Sequence, residues 1–345
     1  MTNKIKIGNK YIGGGEPILI QSMCNTDTRD VLKTVDQIKR LEEVGCEIIR
    51  VAVLDSEAAQ AISKIKKQIN IPIVADIHFD YRLAIESIKA GADKIRINPG
   101  NIGSIENVKA VVDCAKEYEI PIRVGVNGGS LASDVLKKYG KVTVEGLVES
   151  AYDNVKLLED LDFNNIVVSL KVSNVPMTLD AYRLLSKKCN YPLHIGVTEA
   201  GTLIGGTIKN SLGIGILLSE GIGDTLRVSL TADPVEEVKI GWQILKAMGI
   251  RKHGVDFTSC PTCGRTKVNM LPIAEKVEKA VENLNKDIKV AVMGCAVNGP
   301  GEAREADFGV ACGDNCGLLF KHGEIIKKVK EEEIVSELLN LINNE

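Results

Sequence analysis

The stretch from residue 71 to residue 101 reads IPIVADIHFDYRLAIESIKAGADKIRINPGN, and it contains the pattern that decides the fold. A short β-branched run, Ile73–Ile77, is followed by a segment of helical periodicity, Tyr81–Ala90, and then by a second short run, Lys94–Asn98. Short apolar runs that alternate with longer amphipathic segments indicate βαβ units with parallel strands.

This alternation extends from Pro17 to about Gly249 and predicts eight strands. They are Ile18–Met23, Glu47–Val53, Ile73–Ile77, Lys94–Asn98, Ile122–Asn127, Ile166–Lys171, Leu193–Thr198 and Thr225–Leu230. Eight strand–helix units over a length close to the ~250 residues typical of the fold predict a (β/α)8 TIM-type barrel. An open doubly wound sheet is the alternative, but no Gly-x-Gly-x-x-Gly motif follows the first strand. We expect Lys4–Tyr11 to form a hairpin that plugs the bottom of the barrel.

The alternation ends at Gly249–Gly254, and we predict two domains from this change. The barrel is assigned to residues 1–252 and a small α+β domain to residues 253–345. The second domain is predicted to contain strands near Val290–Met293, Phe308–Ala311 and Leu318–Phe320, a helix at Asn269–Leu284, a solvated helix start at Ile325–Glu333 and a closing helix at Glu331–Asn343.

The composition narrows the class of protein. Of the 345 residues, 44% are hydrophobic and only 4% aromatic, which suits an aliphatic α/β core. The formal net charge of −3 and the scarcity of aromatic residues argue against a nucleic-acid partner. The amino terminus lacks an apolar signal region and no stretch is long enough to span a bilayer, so we expect a cytoplasmic protein without a membrane partner. Its nine cysteines then point to metal binding or catalysis rather than to disulfides.

Two cysteine motifs lie in the second domain. SCPTCGR places Cys260 and Cys263 in a C-x-x-C pair, and MGCAVNGPGEA places Cys295 at the end of an apolar strand. A 4Fe–4S cluster held by these three thiolates fits the spacing best, with Glu302 as an exchangeable fourth ligand. A structural zinc site is the alternative, because Cys312 and Cys316 are available as further ligands.

Polar side chains interrupt the barrel strands, where buried parallel strands are usually apolar. They are Arg50, Asp76, His78, Arg96, Asn98, Arg123, Asn127, Lys171, His194, Glu199, Arg227 and Ser229. Each buried cation costs several kcal/mol unless it is compensated, and Asp76 and Glu199 are too few for five cations. The missing negative charge is predicted to be a ligand. Guanidinium groups match phosphate oxygens, which favours a diphosphate or cyclic diphosphate.

Three of these residues have individual predictions. His78, two residues beyond Asp76, is placed to contact substrate, whereas His194 suits a core histidine satisfied by the backbone. Glu199 is a candidate proton donor if burial raises its pKa.

The chain resembles the 4-hydroxy-3-methylbut-2-enyl diphosphate synthase family in its bacterial two-domain form. The resemblance rests on QSM, ADIHF, RINPGN, RVGVN, SLKVSN, HIGVTEAG, RVSLTADP, SCPTCGR and GCAVNGPGEA, in this order along nearly the whole chain. It implies reductive ring opening and dehydration of 2-C-methyl-D-erythritol 2,4-cyclodiphosphate, with two electrons delivered through a 4Fe–4S cluster.

The resemblance also implies roles and partners. The cluster ligands would be Cys260, Cys263, Cys295 and Glu302, and Glu199 would assist proton delivery. The substrate would be held by Arg50, Asp76, His78, Arg96, Asn98, Arg123, Asn127, Lys171, Arg227 and Ser229. A ferredoxin or flavodoxin would donate electrons, and the enzyme would be a head-to-tail homodimer.

One segment departs from the family pattern. The residues ACGDNCG add Cys312 and Cys316 where the family is usually glycine-rich, and we interpret both as incidental. The rival function is a non-redox barrel transferase or aldolase acting on a phosphorylated substrate, with zinc holding the small domain together. Barrels of the pteroate-synthase type bind phosphates with a similar lining, so the fold alone does not decide.

Overall fold

The computed structural model describes residues 1–131, 133–282, 284, 286–295, 301 and 304–344. The chain divides into two compact units, Met1–Met248 and Gly249–Glu345. Each unit has its own sheet and its own apolar core. No helix in the described part of the chain is both long and apolar enough to cross a membrane.

Ten strands lie in the described part of the first unit. They are β1 (Ile5–Ile7), β2 (Lys10–Ile12), β3 (Leu19–Met23), β4 (Ile48–Ala52), β5 (Ile73–Asp76), β6 (Lys94–Ile97), β7 (Ile122–Asn127), β8 (Ile166–Lys171), β9 (His194–Ile195) and β10 (Thr225–Leu226). Strands β3 to β10 form one parallel sheet in the order β8-β7-β6-β5-β4-β3-β10-β9. The predicted barrel is confirmed, although β9 and β10 are shorter than expected.

Helices follow the strands and cover the outside of the sheet. They are α1 (Val31–Glu43), α2 (Ser56–Lys66), α3 (Tyr81–Lys89), α4 (Ile105–Glu117), α5 (Ser133–Tyr139), α6 (Val144–Glu159), α7 (Val175–Ser186), α8 (Leu203–Ser219) and α9 (Pro234–Ala247). Several begin at a residue whose side chain accepts from a first-turn N–H, as Asp30, Asp55 and Asp80 do. Such caps satisfy N–H groups of the first turn, which explains why the helices begin at these residues.

The barrel closes between β8 and β9, a junction that we call the seam. A single isolated bridge joins Val168 to Leu193, and the N–H of Val168 donates to Pro192 O at 2.9 Å. The next ladder bond would join Leu170 N–H to the carbonyl of His194. Instead, the buried hydroxyl of Tyr182 accepts from Leu170 N at 3.0 Å and donates to His194 O at 2.6 Å. The Tyr182 hydroxyl therefore completes a hydrogen bond that the two strands do not make directly.

The antiparallel hairpin of β1 and β2 closes the amino-terminal end of the barrel. Ile5, Ile7 and Ile12 pack in one buried cluster with Leu19, Ile48, Val74 and Val167 from the barrel strands. The hairpin expected to plug the barrel bottom is confirmed, and the opposite, carboxyl-terminal end is left for a ligand.

The described part of the second unit includes a mixed five-stranded sheet and the helices α10 (Met270–Val281) and α11 (Ile334–Asn343). The strands of the sheet are β11 (Asp256–Ser259), β12 (Lys289–Met293), β13 (Phe308–Gly313), β14 (Cys316–Lys321) and β15 (Glu324–Lys330). The sheet order is β11-β12-β13-β14-β15, with the first three strands parallel and the last two antiparallel to their neighbours. A small α+β domain is confirmed.

One local prediction in this unit is wrong. The charged segment Ile325–Glu333 was expected to start a helix, but most of it forms the edge strand β15, followed by a short 3-10 turn at Glu331–Glu333. Its backbone pairs with β14, and Val329 is its one buried residue. Lysines are common on edge strands, because charge there opposes pairing with further chains.

Candidate active site

Six basic side chains from the barrel strands extend into the interior: Arg50, Lys94, Arg96, Arg123, Lys171 and Arg227. Arg96 is paired in register with Asp76 on one side and with Arg123 on the other, which places these side chains on the same face of the sheet. The alternation that predicted inward-facing charges is therefore present in the structure.

Asp76 is the carboxylate around which Arg50, Arg96 and His78 lie. Its Oδ1 is 3.3 Å from Arg96 Nη1, and its Oδ2 is 3.8 Å from Arg50 Nε and 3.6 Å from His78 Nε2. Burial acts to raise the pKa of Asp76, but attraction to Arg50, the His78 contact and attraction to Arg96 together hold it below its ordinary value. The pKa of Arg50 is lowered to about 10, chiefly by burial.

A second buried carboxylate, Glu237, was missed by the sequence analysis. It projects from helix α9, and its carboxylate is 3.3 Å from Arg227 Nη2, accepts from Leu230 N at 2.9 Å and from Ser22 Oγ at 3.4 Å. The signal was present in the sequence, because Glu237 lies on the apolar face that also buries Gly241 and Leu245. Glu237, and not Glu199, is therefore the second carboxylate that pairs with the inward basic side chains.

Lys94 was also missed, although it shares the parity of Arg96 and Asn98 on β6. It is fully buried, and its Nζ has no hydrogen-bond partner among the described residues. The same is true of Nε and Nη1 of Arg123. Burial lowers the pKa of both Lys94 and Arg123 well below their ordinary values, and neighbouring cations add to the effect.

The interior is therefore short of negative charge. In the part of the chain that the structure describes, the carboxylates that pair with the six basic groups are Asp76 and Glu237. An uncompensated buried cation is costly, so this arrangement favours an anionic ligand that makes several contacts.

Substituting Lys94 with Met is expected to raise the free energy of unfolding of the ligand-free chain by about 1–3 kcal/mol near neutral pH. Because the pKa of Lys94 is lowered on folding, the unfolded chain binds a proton that the folded chain excludes, and wild-type stability rises with pH up to the ordinary lysine pKa. That rise should be smaller in Lys94→Met. Chemical denaturation at several pH values measures both effects.

The matched control is Lys89→Met, which removes an exposed lysine at the end of α3 and should leave both stability and its pH slope nearly unchanged. A Lys94→Met protein that is less stable than wild type, with the same pH slope, would show that Lys94 is charged and paired in the fold.

Five further predicted residues lie at the carboxyl ends of the strands, which we call the mouth: His78, Asn98, Asn127, Glu199 and Ser229. Asn98 is buried, and its Oδ1 has no partner among the described residues. Asn127 and Glu199 line a cavity of about 470 Å³ together with Asn174 and Thr198. Glu199 is exposed rather than buried, so the burial expected to raise its pKa is not found.

Lys171 ends β8 and is buried beside the seam. Its Nζ is 3.2 Å from Nε2 of His194, whose Nδ1 is 2.9 Å from Thr225 Oγ1. The ring of His194 is thus satisfied by side chains. The backbone partners that the sequence had suggested are not the ones found. Burial lowers the pKa of Lys171 well below its ordinary value, and the cations Arg227, Arg123 and Arg50 lower it further.

The cysteines of the second unit lie at the ends of neighbouring parallel strands. Cys260 directly follows β11, and Cys295 lies two residues beyond β12, its neighbour in the sheet. The N–H of Gly294 donates to Cys260 Sγ at 3.0 Å. Cys263 is exposed, and its pKa is lowered by the backbone N–H of Arg265 and then by the Arg265 side chain.

The described residues contain no group of three or more His, Cys, Asp or Glu side chains close enough to hold a metal ion. Cys260 and Cys295 thus follow neighbouring strands, and Cys263 lies three residues beyond Cys260, without the three forming a closed ligand set. Glu302 lies outside the described residues. Cys312 is buried in the apolar core of the second unit, and Cys316 pairs with Gly313 on the adjacent strand.

Comparison with known proteins adds independent evidence. Residues 2–242 match the GcpE TIM-barrel domain, and residues 256–344 match the GcpE protein C-terminal domain. A 4-hydroxy-3-methylbut-2-en-1-yl diphosphate synthase (flavodoxin) of Caldanaerobacter subterraneus is 64% identical over 342 residues, covering 99% of this chain and 96% of the relative. The protein of the same name from Clostridium acetobutylicum is 63% identical, covering 99% and 98%.

Among solved structures, dihydropteroate synthase from Stenotrophomonas maltophilia matches 71% of this chain and 99% of its own, with a TM-score of 0.50 and 13% identity. At this identity the likeness supports the barrel fold alone. The two family matches and the relatives above 60% identity cover the barrel and the cysteine domain alike. The chain belongs to the GcpE family, that of the 4-hydroxy-3-methylbut-2-en-1-yl diphosphate synthases.

Proposed function

We propose that this protein catalyses the reductive ring opening and dehydration of 2-C-methyl-D-erythritol 2,4-cyclodiphosphate to 4-hydroxy-3-methylbut-2-enyl diphosphate. Two electrons and two protons enter, a ring C–O bond breaks, and one water leaves. The observation that carries the proposal is the barrel interior, where four buried and two partly buried basic groups meet two carboxylates among the described residues. The names of the close relatives support the same reaction.

The diphosphate is assigned to the cations that converge on the mouth: Arg50, Arg96, Arg123, Lys171 and Arg227. Guanidinium groups bind phosphate oxygens in pairs, and two of these arginines are already oriented by carboxylates. The remaining contacts to diphosphate and hydroxyl oxygens are assigned to Asp76, His78, Asn98, Asn127 and Ser229. The unpartnered Oδ1 of Asn98 is suited to accept from a substrate hydroxyl.

Glu199 is proposed to deliver a proton at the mouth. It lies in the same cavity as Asn127, and its exposure allows it to exchange protons with solvent between turnovers. In this role, the position of Glu199 at the mouth makes it useful.

The cysteine residues fit a 4Fe–4S cluster. Two thiols, Cys260 and Cys295, follow neighbouring strands, and a third, Cys263, completes the C-x-x-C pair. Thiolates are soft ligands that suit iron–sulfur clusters, and the Gly294 N–H donates to the sulfur of Cys260. A side chain on Gly294 would lie 3.3 Å from Cys260 Sγ, so glycine leaves room there. We assign Cys260, Cys263 and Cys295 as ligands, with Glu302 as the exchangeable fourth. When bound, the cluster would relay the two electrons from the donor to the substrate.

The partners follow from the same proposal. Flavodoxin, which appears in the names of the relatives, is the proposed electron donor, and a ferredoxin is the alternative. We place the enzyme in the cytoplasm, where the nine free thiols would remain reduced. A head-to-tail homodimer would bring the cysteine domain of one subunit to the barrel mouth of the other.

The first experiment is iron and sulfide analysis of protein purified without air, followed by a turnover assay with the cyclodiphosphate and reduced flavodoxin. About four irons and four sulfides per chain, with formation of the linear diphosphate, are expected. A colourless protein with one zinc per chain, which stays colourless after anaerobic reconstitution, would favour the transferase or aldolase instead. Sedimentation of the same sample tests the dimer.

A further inference from the structure

Lys171 has a buried support that extends across the seam. Its Nζ contacts Nε2 of His194 at 3.2 Å, and Nδ1 of His194 contacts Thr225 Oγ1 at 2.9 Å. His194 and Thr225 are fully buried and paired in register on neighbouring strands, so their side chains lie side by side. The three residues form one chain of contacts from β8 through β9 to β10.

The chemistry of the groups sets the direction of these hydrogen bonds. An ammonium group only donates, so Nε2 of His194 must accept when Lys171 is charged. The imidazole proton must then be on Nδ1, where the hydroxyl of Thr225 accepts it. The ammonium thereby selects one of the two neutral tautomers, and the hydroxyl satisfies its Nδ1–H.

The surroundings keep the imidazole neutral. His194 is deeply buried, and the charged groups that act on it are all cationic: Lys171, Arg123, Lys94 and Arg50. Burial first, and then these cations, lower the pKa of His194 well below its ordinary value. These surroundings therefore favour a neutral ring, whose Nε2 can accept a hydrogen bond.

Gly196, which follows the neighbouring strand β9, leaves the space in which the ammonium group lies. A Cβ on Gly196 would lie 3.2 Å from Lys171 Nζ and 2.3 Å from Arg227 O. The absence of a side chain at residue 196 leaves the space that the end of Lys171 occupies. Without an acceptor at Nε2, a lysine with four rotatable bonds would lose this defined position.

We propose that His194 and Thr225 are positioning residues for Lys171: the Thr225 hydroxyl accepts from Nδ1–H of neutral His194 and orients the ring, and Nε2 of that ring holds the Lys171 ammonium where it binds the substrate diphosphate. The substrate part of this statement rests on the function proposed above. One N–H of the ammonium is used by His194, which leaves two for phosphate oxygens.

The tautomer is tested without substrate by ¹H–¹⁵N NMR of ¹⁵N-histidine-labelled protein. The chain has four histidines, and the signals absent from His194→Leu belong to His194. We expect a protonated Nδ1 and an unprotonated Nε2 that do not titrate between mildly acidic and mildly basic pH. In Thr225→Val, which has nearly the same shape, the Nδ1–H signal should shift, because its acceptor has been removed. An Nε2–H tautomer or an imidazolium in wild type would overturn the proposal.

Steady-state kinetics tests the positioning of Lys171. His194→Leu should raise KM for the cyclodiphosphate by about 10- to 100-fold, because a hydrogen bond to a charged group is lost, with a much smaller change in kcat. His194→Gln, whose side-chain oxygen can reach the position of Nε2, should recover most of the affinity. Equal loss of kcat and of affinity in both variants would show a purely structural role.

The two arms separate this inference from the proposed function. If wild type does not turn over the cyclodiphosphate but His194 shows the expected tautomer, the reaction is wrong and the support of Lys171 stands. If wild type is active and His194 carries its proton on Nε2, the reaction stands and the support is wrong. Circular dichroism of each variant confirms that it is folded.

Discussion

Glu237→Gln is expected to lower the free energy of unfolding by about 3 kcal/mol. The substitution keeps the size of the side chain and its capacity to accept from Leu230 N, but it removes the charge that compensates Arg227. Glu237 is only 4% exposed, so solvent cannot replace the missing charge. Denaturant titration near neutral pH measures the loss.

The same variant should bind substrate poorly, because Arg227 would no longer be held at the mouth. Saturating concentrations of the cyclodiphosphate should restore part of the lost stability, since a diphosphate supplies the negative charge that glutamine lacks. A variant that is destabilised equally with and without the ligand would show that Arg227 does not contact it.

The adjacent residue provides a matched control. Glu236 lies in the same turn of α9, and its carboxylate pairs only at the surface, with Lys239 at 3.7 Å. Exposed pairs of this kind contribute little, so Glu236→Gln should change stability by about 0.5 kcal/mol or less. A comparable loss in both variants would point to an effect on helix α9 rather than on the buried ion pair.

Cys295→Ser and Cys263→Ser are each expected to lower bound iron after anaerobic reconstitution by about tenfold or more, with turnover lost in parallel. Serine keeps the shape of cysteine, but it is a hard ligand of high pKa and is poorly suited to cluster iron. Iron and sulfide analysis, with the visible spectrum of the same sample, measures the effect.

Cys316→Ser is the control for this pair. Cys316 is paired with Gly313 in the β13–β14 ladder, and we expect its substitution to leave the iron content unchanged. Retention of the cluster in Cys295→Ser together with its loss in Cys316→Ser would assign the cluster to the cysteines that depart from the family pattern.

The sequence predicted the barrel because burial on both faces forces a continuous β-branched run on each strand, and this signal does not depend on tertiary context. The same strands revealed the inward cations, since side chains alternate faces with a period of two. Arg96 and Arg123, for example, were identified by parity and are adjacent in the structure.

The features that the sequence analysis missed are decided by their place in the fold rather than by a local sequence pattern. Glu237 reaches the barrel interior from a helix, and a carboxylate among surface charges is found only when the apolar face of that helix is mapped. Lys94 is the first residue of its strand, where the sequence alone does not separate a buried lysine from an exposed one. Strand β15 has a lysine-rich sequence, and its state is decided by pairing with β14, which no local pattern encodes.

The seam between β8 and β9 links substrate affinity to the stability of the barrel. It is the place where one bridge and the Tyr182 hydroxyl replace a regular ladder; Lys171 ends β8 on one side of it, and Arg227 follows β10, the neighbour of β9, on the other side. A diphosphate bound to both residues adds a connection across this weakest junction. Bound diphosphate would then favour the closed form of the seam over the open form. Slow release of product and slow hydrogen exchange at Leu170 and His194 would both report on this opening equilibrium.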